Sequence, residues 1–146
     1  MQISVITDKN LIKLYISKLY SELFGEAKVP TSAEFDSIFE ALPAHVHTAY
    51  EAKIGNEPVA FFTLSESFSF FAGGRYGIIN ELWVCPDHRA NGVGSKVIDE
   101  IITLAKEHNW SRVDVSAPPN AQWDRTFAFY QKCGFEFTGR KLKRYV

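Results

Sequence analysis

Arg89-Ala90-Asn91-Gly92-Val93-Gly94-Ser95 is the stretch on which the reading of this chain turns. It stands between an apolar, strand-like run that ends near Cys85 and an amphipathic helical run that begins at Gly92. Gly92 and Gly94 carry no Cβ, so the backbone there can turn tightly and approach a ligand closely. The first N–H groups of the helix lack intrahelical partners, and the helix dipole adds partial positive charge. A strand, a glycine turn and a helix N-terminus together make a socket for phosphate.

Working outward, Tyr76 to Cys85 has strand character and closes at Pro86-Asp87-His88. Over residues 92–108, Val93, Val97, Ile98, Ile101, Ile102, Leu104 and Ala105 form one helical stripe, with Lys96, Glu100 and Lys106 outside it. Arg112 to Ser116 reads as a short strand, and Asp124 to Lys132 as a helix stopped by Gly134. Phe135 to Val146 reads as two strand segments about Gly139. Toward the N-terminus, Gln2 to Ile6 is an edge strand, and Asp8 caps a helix that Gly25 ends. Thr31-Ser32-Ala33-Glu34 is a capping box for a second helix, with Phe35, Ile38, Phe39 and Leu42 on its apolar face before Pro43. His45 to Ile54 and Pro58 to Phe70 are strands about a Gly55-Asn56 turn. The order β-α-α-β-β-β-α-β-α-β, with a further strand at the end, predicts an α/β chain of the α+β type with a mixed sheet between helices.

The 146 residues suit a single domain, 1–146. Hydrophobic residues at 46% and charged ones at 23% are ordinary for a globular protein. A formal charge of −1 argues against electrostatic binding of nucleic acid, and the basic tail of Arg140, Lys141, Lys143 and Arg144 reads as a solvated face. No apolar run nears the roughly 20 residues that span a bilayer. The expected setting is cytoplasmic, with Cys85 and Cys133 reduced. His45 and His47 flank Val46 and point the same way on a strand, but no third ligand joins them, so no metal site is expected.

Three glycine-loop patterns compete for the socket. A dinucleotide fingerprint would put a third glycine where Val97 stands, and a P-loop would need Gly-Lys-Ser/Thr where Gly94-Ser95-Lys96 stands. A coenzyme A pyrophosphate loop, Arg/Gln-x-x-Gly-x-Gly/Ala, fits Arg89 to Gly94 at every position. Two further matches accompany it: Ile79-Asn80-Glu81-Leu82-Trp83-Val84 followed by Pro86, and Phe129-Tyr130-Gln131-Lys132-Cys133-Gly134-Phe135. On these residues, which span about 76–137, the chain resembles the GCN5-related N-acetyltransferase family.

The resemblance implies a mostly antiparallel mixed sheet of six to seven strands flanked by about four helices. It implies direct transfer of an acetyl group from acetyl-CoA to an amine of a small molecule or peptide. The alternative is a non-catalytic acyl-CoA-binding or interaction module on the same fold. By resemblance, Leu82, Trp83 and Val84 present backbone groups to the pantetheine, with the Val84 N–H as an oxyanion donor. Arg89, Ala90, Asn91, Gly92, Val93, Gly94 and Ser95 form the pyrophosphate loop. Tyr130 protonates the departing sulfur. Many members carry an Asn seven residues before that Tyr; here Trp123 stands there, and the nearest Asn is Asn120.

Glu81 is the candidate general base. Strict alternation puts it on the face of Ile79 and Trp83, opposite Asn80 and Leu82. A Glu buried among apolar neighbours would have a raised pKa, which suits a base near neutral pH. The competing reading is a Glu paired with a basic residue or facing water. Arg89, Lys96 or Arg125 could serve the coenzyme's 3′-phosphate. The acceptor is expected along Leu19–Pro30, Phe68–Tyr76 and Arg140–Val146, with Phe68, Phe70, Phe71 and Trp123 making an aromatic-tolerant cleft. Glu22, Glu26 and Glu66 are the carboxylates nearest to that role, and a homodimer is the assembly to test for.

Overall fold

The computed structural model describes residues 1–146. Strands β1 (Gln2–Ile6), β2 (His47–Ile54), β3 (Glu57–Ser69), β4 (Gly74–Val84) and β5 (Val113–Val115) form one sheet in that order. All neighbours are antiparallel except β4 and β5. That parallel pair follows from its connection, since a helical crossover returns the chain in its original direction. The helices are α1 (Lys9–Phe24), α2 (Ser32–Ala41), α3 (Val93–Glu107) and α4 (Asp124–Lys132). None is long and apolar enough to cross a membrane.

The helix ends follow their local chemistry. The Asp8 carboxylate accepts from the amides of Asn10 at 2.9 Å and Leu11 at 3.2 Å. Thr31 and Glu34 exchange both capping-box bonds, each at 3.2 Å. These satisfy N–H groups that the helix itself cannot.

Each face of the sheet carries a core. On one, Ala60, Phe62 and Leu64 of β3 meet Val93, Val97, Ile98 and Ile101 of α3 and Tyr130 of α4. On the other, Phe61 and Trp83 pack under Tyr15 and Leu19 of α1. Full burial of such a side chain contributes about 1.5–3 kcal/mol. The α1 side also holds a buried carboxylate, Glu51, only 4% exposed. The Tyr15 hydroxyl donates to it at 2.6 Å, and Lys53 Nζ lies 3.1 Å away. The Tyr15 ring stacks on Phe61 at 4.9 Å, so one side chain joins α1 to β2 and β3.

Two expectations are corrected. The sheet has five strands, not six to seven, because Phe135–Val146 forms none. Alternation measures fitness for a pleated, half-buried surface and does not supply a partner edge. The edge that β5 offers is three residues long, and Leu142 and Tyr145 stay exposed. The second correction lies in β4. Thr63 pairs with Glu81 and Leu64 with Ile79, which leaves Asn80 as an extra, bulged residue. A bulge breaks the two-residue period. Ile79 therefore joins the α3 core, while Glu81 stays on the Trp83 side with its carboxylate taking the Thr63 hydroxyl.

Tyr15→Phe should remove the hydroxyl that satisfies Glu51 while keeping the ring stack. The expected loss is about 1–3 kcal/mol in urea unfolding, the cost of an under-satisfied buried carboxylate. An unchanged midpoint would mean that Lys53 alone suffices.

Candidate active site

The site begins where β4 and β5 part. Their pairing covers only Gly77 to Ile79 against Val113 to Val115. Beyond Val115 the chain turns away through Pro118-Pro119, neither of which has an N–H for a ladder. β4 runs on to Val84 with β3 alone beside it. The Cys85 amide donates to the Val59 carbonyl at 2.8 Å, which fixes the phase of that ladder. By antiparallel alternation the backbone groups of Glu81 and Trp83 face β3, and those of Leu82 and Val84 face the open edge. The Val84 carbonyl fits this phase, since it accepts from Arg89 Nε at 2.9 Å on the open side. Of the three residues predicted to offer backbone groups there, Trp83 is thus the one whose groups are turned toward β3.

The glycine loop follows at once. Pro86–Asn91 forms a 3₁₀ turn, and Gly92 caps α3 in the left-handed region at φ +72°. An L side chain there costs about 1–2 kcal/mol. No side chain caps this helix end, so the amides of Val93, Gly94 and Ser95 lack a side-chain partner. Gly94 has a packing reason as well: a Cβ on it would lie 3.1 Å from the Phe129 ring. It allows α4 to pack on the start of α3. Arg89 is also committed elsewhere. Its guanidinium holds Glu22 of α1 at 2.7 and 2.9 Å, and Glu22 also accepts from Trp83 Nε1 at 3.0 Å. Lys96 and Arg125 are exposed and make no ion pair.

Tyr130 lies on the α3 side of the sheet, 8% exposed, against Phe129 and Phe135. Burial, reinforced by the neighbouring Cys133 thiol, pushes its phenol up to about 12. Its proton is therefore held throughout the neutral range. Trp123 ends a 3₁₀ turn at the start of α4, and its amide donates to the Asn120 carbonyl at 2.9 Å. Cys133 Sγ is 3.9 Å from Ser95 Oγ, and Cys85 lies at the end of β4.

Glu81 opens on the other face, into a groove of about 490 Å³. One wall is apolar: Ile38 on α2, with Leu42 and Pro43 just after it. The other carries His47, Ser65, Asn80 and Glu81, and the Asn80 amide donates to the Ser65 hydroxyl. The α2 wall was not predicted. Its signal was legible, because the apolar face of α2 exceeds what it buries: Phe35 alone is buried, and Ile38 is 53% exposed. The expected aromatic cleft does not form. Phe68, Phe70 and Phe71 project from the β3–β4 hairpin, Phe71 at 99% exposure, because that tip has no element above it. His45 and His47 do not share a strand either: His45 lies in the preceding turn, and only His47 is in β2.

Known proteins resemble this chain in sequence and in fold. The profile of the Acetyltransferase (GNAT) family matches residues 14–135. An uncharacterized N-acetyltransferase of Archaeoglobus fulgidus is 36% identical over 59 residues, 40% of this chain and 40% of that one. Glucosamine 6-phosphate N-acetyltransferase of Schizosaccharomyces pombe is 32% identical over 73 residues, 50% of this chain and 61% of its own. The matches thus span 40–61% of these curated relatives' lengths. Among solved structures, aminoglycoside antibiotic 6′-N-acetyltransferase of Acinetobacter haemolyticus superposes with a TM-score of 0.73 at 19% identity, covering 100% of this chain and 98% of that one. That likeness is one of fold.

The raised phenol of Tyr130 has a measurable consequence for stability. Its folded value of about 12 exceeds the ordinary value of 10.0, so the unfolded chain loses this proton first as pH rises. The stabilisation is complete below pH ~10 and is lost between about pH 10 and 12. Between pH 9 and 11.5 the native protein should lose about 2 kcal/mol more than Tyr130→Phe in urea unfolding. Equal alkaline losses would show that the phenol titrates normally.

Proposed function

Because the chain belongs to the GNAT acetyltransferase family, we propose that it moves an acetyl group from acetyl-CoA directly to an amine of a small molecule or peptide. The observation that carries this reading is the alignment of an open strand edge with an uncapped helix start. The backbone groups of Leu82 and Val84 facing that edge can pair with pantetheine amides as a further strand would. The amides of Gly92, Val93, Gly94 and Ser95 suit the pyrophosphate, with Arg89, Ala90 and Asn91 forming the turn that leads to them. Arg89 serves by bracing the loop against Glu22 and the Val84 carbonyl, while Lys96 and Arg125 are the cations left for a 3′-phosphate.

The chemistry divides between the two faces of β4. Glu81, on the α1 and α2 side, can take a proton from the incoming ammonium. The amine nitrogen attacks the thioester carbonyl carbon; the C–N bond forms, and the C–S electron pair leaves with sulfur. The Val84 N–H suits the transient oxyanion. Tyr130, on the α3 side and protonated at neutral pH, can donate a hydrogen bond and then a proton to the thiolate. The second proton on the attacking nitrogen passes to solvent as the amide forms, solvent restores the phenol, and the proton held by Glu81 returns to solvent.

Calorimetric titration tests the coenzyme. Acetyl-CoA should bind with micromolar affinity to the native chain and not to Gly92→Glu, which adds bulk and negative charge to the socket. In an acceptor screen, Tyr130→Phe should keep that binding and lower turnover by about 10²-fold or more. No heat from the folded native chain would refute the proposal. Binding without turnover on any amine would point to an acyl-CoA-binding module instead.

A further inference from the structure

We infer that the acceptor is a small primary monoamine with an apolar body, not a polycation. The inference rests on the acetyltransferase reading above and deepens it. Asn80 and Glu81 sit at the β4 bulge, one and two residues beyond the last β4–β5 pair, so the groove reaches the sheet where the two strands separate. An amine seated there has its nitrogen at Glu81 and its body over Ile38, Leu42 and Pro43. About 490 Å³ is room enough for the body of a small amine.

Charge decides against a polycation. Each further ammonium taken out of water needs its own carboxylate or comparable partners. Glu81 is the only carboxylate lining this groove, and its other polar walls are His47, Ser65 and Asn80. None of the other carboxylates expected on the acceptor side lines this groove, and Glu22 is already paired with Arg89. Glu22 accepts from Arg89 and Trp83, Glu26 from the Ser21 hydroxyl at 2.7 Å, and Glu66 from Trp110 Nε1 at 2.6 Å. The apolar wall has the opposite character. Ile38 and Leu42 are exposed, and neither belongs to a buried cluster, so an apolar ligand body would remove from water what the fold leaves in it.

The test uses the full chain with saturating acetyl-CoA and follows thiol release. The acceptors are a linear series from propylamine to hexylamine, phenethylamine, spermidine, kanamycin and an unblocked tripeptide. Within the linear series kcat/KM should rise by about 3- to 4-fold per methylene. The best monoamine should exceed spermidine, kanamycin and the tripeptide at least tenfold. Leu42→Asp, at a rim position 37% exposed, should raise KM for hexylamine about tenfold and leave the heat of acetyl-CoA binding unchanged. A flat methylene series, an unaltered KM in Leu42→Asp, or a faster polyamine, aminoglycoside or tripeptide would overturn the inference. Failure of the parent reading is distinct, because acetyl-CoA would then give no heat before any amine is added.

Discussion

Everything at the candidate site depends on β4 losing β5 after Ile79. A strand interior to a sheet has no backbone groups to offer a ligand, and a strand at an ordinary edge has no second face nearby to bring a reactant in. The divergence makes an edge inside the molecule. The Val113–Val115 strand is long enough to anchor the crossover helix α3 and short enough to release Leu82 and Val84. The two prolines that follow prevent the ladder from resuming.

The remaining contacts hold that opening in shape. Glu22 gathers Arg89 and Trp83, so α1, β4 and the loop meet at one carboxylate. Both Glu22 and Arg89 are partly exposed, and such a pair alone is worth little. Its value here is geometric, because Arg89 also grips the last carbonyl on the open edge. Tyr15 and Glu51 fasten the same helix from beneath, in a drier setting. On the other face, Phe129 against Gly94 brings α4 close enough to set Tyr130 into the α3 core.

Much of this was legible in the sequence. Asp8, Thr31, Gly25 and Gly92 announce helix ends through local chemistry, and local chemistry does not depend on the fold. The α3 stripe and the glycine loop were equally plain. What failed required knowledge of partners. Phe135–Val146 alternates like a strand without an edge to join, and Phe70 and Phe71 look like a cleft lining but stand on a bare hairpin tip. The bulge at Asn80 is an insertion relative to β3, visible only once the register is known. Glu81 was named as a candidate, yet its surroundings were misjudged, because the Ile79 expected beside it lies beneath the sheet. The role of Arg89 as a brace depends on Glu22, 67 residues away.

The bulge also bears on the order of events. With Ile79 and Tyr130 on one face and Glu81 on the other, a donor and an acceptor bound as proposed would have separate entrances that meet only at the gap between β4 and β5. Neither ligand need stand in the other's doorway. A steady-state scheme drawn on this architecture has no steric reason for a compulsory sequence of additions. On the proposed reading, spent coenzyme would depart without waiting for the acylated product to clear its groove.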